Sequence, residues 1–320
     1  MGVPVVRYRY RDQAYWGVLK DEEVAPFADG GEPTSAIVAR GPHQLGREAA
    51  NAQRVPFHDV TPLSPVTRPS RIFCQGVNYS AHRREAGMSV EKPAFNLFFM
   101  KADSALSGAF DAVIRPPEVE LLDYEIELGL LLRGPVVGPI EVTTANLADY
   151  VAGLFIANDV SARDIQVPQG QWFYGKSFRT FCPVGPVLYL WDAVEAASVH
   201  ELELRLWVNG ELRQSASTTQ LLYGPEESLT QLSRAMDWET GDVLLTGTPG
   251  GVALTLSPEI LTVLNDPSLS GDAKQAALRR DQRQNGRYLK PGDLVEAEIR
   301  DPNGTIALGR QRFFIVGSGE

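Results

Sequence analysis

An alternation of apolar and acidic residues over Leu122–Leu128 constrains the fold more than any other stretch of this 320-residue chain. Its period of two predicts a β-strand that carries Glu125 and Glu127 on one face. Asp159 ends a second apolar run, Val151–Ile156. Three carboxylates with no nearby His or Cys would favour Mg²⁺ or Mn²⁺, with Ca²⁺ as a further candidate, over Zn²⁺. The alternative is a strand with one solvated face, which is the commoner meaning of Glu-x-Glu taken alone.

Charge and composition exclude several classes of protein. The chain has 30 basic and 40 acidic residues, a net charge of −10 and a pI near 5.0. This balance argues against nucleic acid or an anionic membrane surface as the main partner. A hydrophobic content of 43% and a charged content of 22% are typical of soluble globular proteins.

Cysteine usage and the first residues bear on location. Cys74 and Cys182 are the only cysteines, so a disulfide framework is not expected. The first residues lack the apolar core of a signal peptide, and no apolar run approaches the length of a membrane span. These features predict a soluble cytoplasmic protein.

Three prolines within residues 61–69 mark the best domain boundary, because they interrupt both helix and central strand. We therefore predict a small N-terminal α/β domain over 1–61 and a catalytic domain over 62–320. The first should contain strands at Val5–Tyr10 and Tyr15–Leu19 and a helix at 44–54.

Strand signals dominate the second region, so the predicted fold class is α+β and predominantly β. Asn209-Gly210 is the strongest hairpin signal, between strands Glu201–Val208 and Glu211–Ser215. Further strands are expected at Phe178–Val184, Asp242–Leu245, Leu294–Ile299, Thr305–Leu308 and Phe313–Val316. Helices are expected near 80–86, 143–151 and 226–236, with a pair inside an insertion at about 255–287.

His82 and Glu85 are spaced to lie side by side on a short helix that Ser80 begins and Gly87 ends. The carboxylate could orient the imidazole as a general base. An exposed helical pair is the alternative, and the commoner one for this spacing alone.

Three further features admit two interpretations each. Lys176 follows an aromatic-rich loop and could counter an anionic substrate, or it could be a surface lysine. Arg163 could orient the carboxylates or form a structural salt bridge. Thr246–Gly251 offers hydroxyls and backbone amides that could bind a carboxylate, or it could be an ordinary turn.

Residues 170–177 match the spacing of a phosphate-binding loop. No apolar strand leads into Gly170, three aromatic residues fill the loop, and a strand is expected after it. We therefore do not predict a nucleotide site there.

Taken together, the motifs resemble the fumarylacetoacetate hydrolase family over about residues 66–316. They occur in the family's order and are Gly76–Tyr79 with His82 and Glu85, Asp123–Leu128, Asn158–Asp164, Gly175–Phe178, Thr246–Pro249 and Pro291–Asp293. The resemblance implies a mixed β-sandwich roll and a homodimer.

The resemblance also assigns expected roles to residues. Glu125, Glu127 and Asp159 would bind the divalent metal. His82 and Glu85 would form a catalytic dyad on a mobile lid. Lys176 would be the third catalytic residue, and the expected substrate-binding residues are Lys101, Arg163, Gln166 and Thr248.

The family's common chemistry is stabilisation of an enolate by a divalent metal. We predict hydrolysis of a carbon–carbon bond in an acylpyruvate or related β-diketo acid, with water activated by His82 and Glu85. The alternative is an isomerase or decarboxylase of a hydroxymuconate-like or oxaloacetate-like acid in aromatic-compound catabolism. A catalytically inactive metal-binding protein is the alternative of another class. In each case the expected partner is a small anionic keto acid.

The chain departs from the family pattern at Arg179, where Asp is common, and in the insertion. The insertion carries four arginines, Arg279, Arg280, Arg283 and Arg287. They could form a surface or dimer-contact helix, or they could present a cation to the distal carboxylate of a dicarboxylic substrate.

Overall fold

The computed structural model describes residues 2–319 and has the predicted α+β, mostly β fold. The strands are β1 Val3–Tyr10, β2 Gln13–Lys20, β3 Glu23–Asp29, β4 Val55–Pro56, β5 Thr61–Leu63, β6 Ile72–Gly76, β7 Leu97–Lys101, β8 Leu106–Gly108, β9 Val113–Arg115, β10 Leu122–Asp123, β11 Ile126–Leu132, β12 Val151–Asn158, β13 Ser161–Ala162, β14 Cys182–Leu190, β15 Glu203–Val208, β16 Glu211–Ser217, β17 Val243–Leu245, β18 Leu294–Arg300 and β19 Ala307–Gly317.

The helices are short and connect strands. They are α1 Thr34–Ala49, α2 Ser80–Glu85, α3 Leu147–Tyr150, α4 Arg163–Gln169, α5 Phe173–Lys176, α6 Pro225–Ser233, α7 Pro258–Asn265 and α8 Gly271–Gln282. Between residues 2 and 319, none of them has the length and hydropathy that a membrane crossing requires.

A twelve-stranded sheet forms the body, in the order β4-β3-β2-β1-β14-β12-β11-β17-β6-β7, with β5 beside β1 and β8 beside β14. Its central strands β11, β12 and β14 are buried at every residue. They are nearly continuous apolar runs because both faces of the sheet are covered there. Glu127 lies on β11, and Asp159 directly follows β12.

A second sheet, β16-β15-β18-β19-β9, covers part of this body. Buried and partly exposed residues alternate along β15 and β18, as expected when one face packs on the core and the other faces water. The predicted hairpin is confirmed, with Asn209 and Gly210 at φ 51° and 80° between β15 and β16.

The N-terminal strands continue the large sheet. β1 pairs with β14 from Val3 opposite Leu190 to Val6 opposite Val187, so hydrogen bonds cross the predicted boundary at residue 61. Asp12 and Asp21, each with positive φ, lie in the turns that join β1 to β2 and β2 to β3. The division into 1–61 and 62–320 stays a prediction.

Several predicted elements have different bounds. The helix expected at 44–54 spans Thr34–Ala49, because it continues through a kink at Gly41, whose φ is 68°. The strand expected from Phe178 begins at Cys182, because Phe178–Phe181 forms a turn closed by a backbone hydrogen bond. The two last predicted strands are one strand, β19.

The insertion contains the expected pair of helices. Ser257 and Ser270 accept hydrogen bonds from the first turns of α7 and α8 through their side chains, as helix-capping residues do. These helices lie next to α2 and α4, beside the candidate site.

Candidate active site

Three carboxylates converge where β11 begins and β12 ends. The antiparallel register places Ile126 opposite Asn158, and the amide of Asp159 donates to the carbonyl of Glu125 over 2.8 Å. This pairing brings Glu125, Glu127 and Asp159 together, with one oxygen of each within 4.8 Å of the others. The predicted cluster therefore exists in the fold.

The expectation of one continuous strand over Leu122–Leu128 is wrong in detail. β10 ends at Asp123 and β11 begins at Ile126. The amide of Glu125 donates to the side chain of Asn158, at the end of β12, and not to a backbone carbonyl of that strand. Both glutamates are buried, so the alternative of a strand with a solvated face does not describe this segment.

Three buried cations surround the carboxylates. Lys176 Nζ lies 2.7 Å from Glu125 Oε2 and 2.6 Å from Asp159 Oδ2. Lys101 pairs with the other oxygen of Asp159, and Arg163 Nη2 lies 2.5 Å from Glu125 Oε1. Lys101, Arg163 and Lys176 are thus brought together with the triad.

Lys176 remains charged in this environment. Burial alone would lower its pKa, but the carboxylates of Asp159 and Glu125 raise it above the ordinary value. The structure therefore excludes the surface-lysine interpretation, and an ammonium group at this place can counter negative charge.

Glu127 is the one member of the triad without an ion pair among residues 2–319. Its carboxylate accepts a hydrogen bond from the amide of Gly247 over 2.7 Å. Burial, followed by repulsion from Asp159 and Glu125, raises its pKa well above the ordinary range. A carboxylate in this condition is stabilised by an added cation.

This charge arrangement fits a divalent metal. The donors are all hard oxygen atoms, and the buried site has one carboxylate whose charge is not compensated. Glu125, Glu127 and Asp159 would hold the ion, as the sequence predicts, and its identity as Mg²⁺ or Mn²⁺ stays a prediction.

His82 and Glu85 also lie side by side, as predicted from their spacing, and their catalytic role stays a prediction. His82 is 6% exposed, and its Nδ1 lies 3.4 Å from Glu85 Oε2 within α2. Glu85 Oε1 accepts a hydrogen bond from the amide of Gly251 over 2.7 Å. The interpretation as an exposed helical pair therefore does not apply, because the imidazole is buried and the carboxylate is fixed.

A cavity of about 360 Å³ contains His82, Arg163 and Gln166 in its lining. Gln166 accepts a hydrogen bond from Arg163 Nη1 over 2.9 Å, so two of the four predicted substrate-binding side chains contact each other. The insertion supplies part of the wall through Leu261, Leu264, Asn265 and Lys274.

Thr248 is buried, and its hydroxyl forms hydrogen bonds with other groups of the protein. It donates to the carbonyl of Ile126 over 2.9 Å and accepts from Gln214 Nε2 over 2.8 Å. In this structure Thr248 joins the loop after β17 to β11. Its predicted contact with substrate stays a prediction.

Asp123 is an important residue to which the sequence analysis gave no role. It is fully buried, pairs with Arg163 Nε over 2.8 Å, and accepts hydrogen bonds from the amides of Ala253 and Leu254. It fixes the guanidinium that contacts Glu125. The available signal was an acidic residue at the head of the Glu-x-Glu motif.

The arginines of the insertion have separate environments. Arg279 pairs with Asp164 at 2.7 Å and Glu120 at 3.0 Å, whereas Arg280 and Arg283 are exposed. Arg287 lies against the loop after β17. Of the two interpretations given above for the insertion, these ion pairs favour the structural one for Arg279. Arg179 is exposed.

Residues 170–177 do not form a phosphate-binding loop. Gly170 follows α4 and not a strand, and Lys176 ends a helix of four residues. Its ammonium group contacts carboxylates, as described above. The rejection of a nucleotide site is consistent with this geometry.

Comparison with known proteins identifies the relatives. The sequence profile of the fumarylacetoacetate hydrolase C-terminal domain matches residues 71–314. An oxaloacetate tautomerase, mitochondrial, from Bos taurus is 38% identical over 279 residues, which are 86% of this chain and 76% of that protein.

Two solved structures are similar along nearly the whole chain. A fumarylacetoacetate hydrolase from Exiguobacterium antarcticum has a TM-score of 0.75 at 27% identity, covering 98% of this chain and 99% of that one. A probable 2-hydroxyhepta-2,4-diene-1,7-dioate isomerase from Mycobacterium abscessus has a TM-score of 0.73 at 29% identity, covering both chains completely.

These comparisons also correct one prediction. The expected cytoplasmic location is contradicted by the curated relatives, whose names place them in mitochondria. The absence of an apolar signal core was a weak basis for that prediction, because mitochondrial targeting segments are amphipathic. From the profile match and the 38% identity, the chain belongs to the fumarylacetoacetate hydrolase family of enzymes.

Proposed function

We propose that this protein is a divalent-metal-dependent tautomerase that interconverts the enol and keto forms of a small oxaloacetate-like dicarboxylic acid. The observation that carries the proposal is a buried imidazole, in contact with Glu85, in a cavity whose lining also contains Arg163, the ion-pair partner of Glu125. The activity named for the Bos taurus relative supports tautomerisation over carbon–carbon bond hydrolysis, which was the main prediction from the sequence.

In this proposal, His82 and Lys176 have different roles in the proton transfer. His82 is the proposed base, because Lys176 is held as an ammonium ion by the carboxylates around it. With Nδ1 turned to Glu85, Nε2 is the ring nitrogen available to the cavity. His82 takes a proton from C3 of the keto form and returns it from the imidazolium to the oxygen on C2, so the net reaction is a 1,3-proton transfer and His82 ends neutral.

A divalent metal held by Glu125, Glu127 and Asp159 would supply Lewis acidity toward the 2-oxo acid. Lys176 and Lys101 counter the negative charge that develops when C3 loses its proton. Arg163 and Gln166, which are hydrogen-bonded to each other, orient the substrate from the wall of the cavity.

Proton exchange distinguishes tautomerisation from its competitors. We expect the purified protein with Mg²⁺ to accelerate deuterium incorporation at C3 of oxaloacetate in D₂O, measured by ¹H NMR against Mg²⁺ alone, without extra pyruvate. H82N should slow this exchange by about 100-fold or more, the range for loss of a general base, and leave metal affinity unchanged.

Hydrolysis of an acylpyruvate remains the second candidate, because both members of the water-activating dyad are present. Release of pyruvate and acetate from acetylpyruvate, faster than deuterium exchange into oxaloacetate, would establish it instead. Protein that binds Mg²⁺ but catalyses neither reaction would support the inactive alternative.

We also propose that the protein is a homodimer. Phe95 is 77% exposed, and Phe173 and Tyr174 are large exposed aromatic residues. Exposed aromatic surface of this kind is often covered in an assembly. Light scattering should give about twice the 35.1 kDa of one chain.

A further inference from the structure

The loop after β17 connects the two halves of the proposed site through its backbone. The amide of Gly247 donates to Glu127 over 2.7 Å, and the amide of Gly251 donates to Glu85 over 2.7 Å. The first contact reaches the carboxylate triad and the second reaches the dyad. The conformation of this loop therefore sets the position of Glu85 relative to the triad.

Gly251 is the critical point of the loop. Its φ is 105°, and a Cβ added there would lie 2.0 Å from the carbonyl oxygen of Arg213, so glycine is required. A glycine has the least intrinsic restriction on its backbone. Its neighbours must therefore hold the orientation of its N–H and C=O groups.

The Gly251 carbonyl has two donors. Arg287 Nη2 donates to it over 2.7 Å, and the hydroxyl of Tyr124 donates over 3.1 Å. Arg287 Nη2 also lies 3.2 Å from that hydroxyl, so the three groups form a closed set. Between residues 2 and 319, Arg287 makes no ion pair with a carboxylate, and these neutral acceptors are its side-chain partners.

The insertion also contacts α2, the helix that carries His82 and Glu85, and the turn that follows it. The amide of Leu256 donates to the carbonyl of Glu85 over 2.9 Å. Leu261 packs against Gly87, where an added Cβ would lie 2.3 Å from it. The segment that carries Arg287 therefore supports α2 directly as well as through Gly251.

We propose that Arg287 is a positioning residue for the dyad, acting through the backbone of Gly251 on Glu85 and through Glu85 on His82. The proposal rests on the proposed function for its kinetic consequence. It gives the insertion a role in ordering the helix that carries the base. Arg287 touches neither the triad nor the dyad, so its effect should fall on turnover and not on binding.

The kinetic test compares three variants. R287M removes the donor and keeps an aliphatic chain, R287K keeps one charged donor, and R283M alters an exposed arginine of the same segment as the control. We expect R287M to lower kcat for tautomerisation about tenfold with KM and metal affinity unchanged, R287K to recover part of the loss, and R283M to match wild type. Unchanged kcat in R287M, or equal losses in R287M and R283M, would overturn the proposal.

A second measurement does not depend on turnover. The ring nitrogens of His82 can be followed by ¹⁵N NMR and assigned with H82N, since the chain has four histidines. We expect R287M to shift the His82 signals, R287K to shift them less, and R283M to leave them in place. A His82 spectrum that R287M does not change would overturn the positioning role. A shifted spectrum in a protein without tautomerase activity would instead refute only the proposed function.

Discussion

At the scale of single residues, Glu125 and Glu127 show how two similar side chains acquire opposite properties. Burial alone would raise the pKa of both. Arg163 and Lys176 hold the pKa of Glu125 below its ordinary value, whereas Asp159 and Glu125 push the pKa of Glu127 further up. Glu127 is therefore the residue where a metal would relieve the most repulsion.

We expect E127Q to weaken metal binding by about 100-fold or more, because the ion loses one of three carboxylates. The same change should stabilise the metal-free protein. A carboxylate with a raised native pKa costs stability as the pH rises through that pKa, and the amide carries no charge to be buried. Thermal unfolding with EDTA at about pH 8 should give a higher Tm for E127Q than for wild type.

E125Q is the matched control for this experiment. Glu125 is paired with Arg163 and Lys176, so its neutralisation should leave two buried cations less compensated and lower the Tm in EDTA. If E127Q also lowers the Tm in EDTA, Glu127 is not an uncompensated charge in the metal-free protein.

At the scale of elements, the insertion contributes part of the lining of the cavity that contains His82. Leu261 and Leu264 of α7 are apolar, whereas Asn265 and Lys274 add polar groups to the same lining. The lining of this cavity of about 360 Å³ thus contains two cationic side chains, Lys274 and Arg163, together with apolar ones. This pattern suits an acid that is charged at both ends.

We expect K274M to raise KM for dicarboxylic substrates about tenfold, equivalent to ~1.4 kcal/mol, and to spare monocarboxylic ones. Lys274 is half-buried and has no carboxylate within salt-bridge distance in the part of the chain that the structure describes. Steady-state kinetics with a paired diacid and monoacid would measure the change. R280M, at an exposed position of α8, should change neither KM, and equal effects of K274M on both substrates would argue against this role.

At the scale of the whole molecule, contacts between distant segments of the chain hold the structure together. His200 Nε2 lies 2.8 Å from Glu226 Oε1, and the hydroxyl of Thr144 donates to the same oxygen. The hydrogen bond to Glu226 raises the pKa of His200 above its ordinary value of 6.5. Although burial alone would raise it, the pKa of Glu226 is lowered, chiefly by His200.

These two shifts define a pH window for stability. The His200 contribution is fully present below about 6.5 and is lost as the pH rises through its native pKa. We expect wild type to exceed H200Q in urea midpoint at about pH 6, and the difference to fall by roughly half at about pH 8.5. H58Q, which alters an exposed histidine, should show no such dependence, and a constant difference for H200Q would contradict the assignment.

Local patterns in the sequence predicted the features that depend on nearby residues. The hairpin at Asn209-Gly210 follows from the preference of those residues for positive φ, and the His82–Glu85 pair follows from helical spacing. Family resemblance then supplied the expected grouping of Glu125, Glu127 and Asp159, which the fold brings together. Helix and strand ends were less predictable, since α1 continues through a kink at Gly41 that a helical pattern does not anticipate.

The tertiary structure alone decided the electrostatic state of the site and the links around it. Lys101 and Asp159 are far apart in the chain, as are Arg287 and Gly251, and no local period encodes such pairs. The register of β11 and β12 and the burial of both faces of the sheet determine which charges meet without water between them. Residue types and spacing therefore determined which groups the site contains, whereas sheet register and burial determined which of those groups are paired, because Coulomb interactions become strong only where the fold excludes solvent.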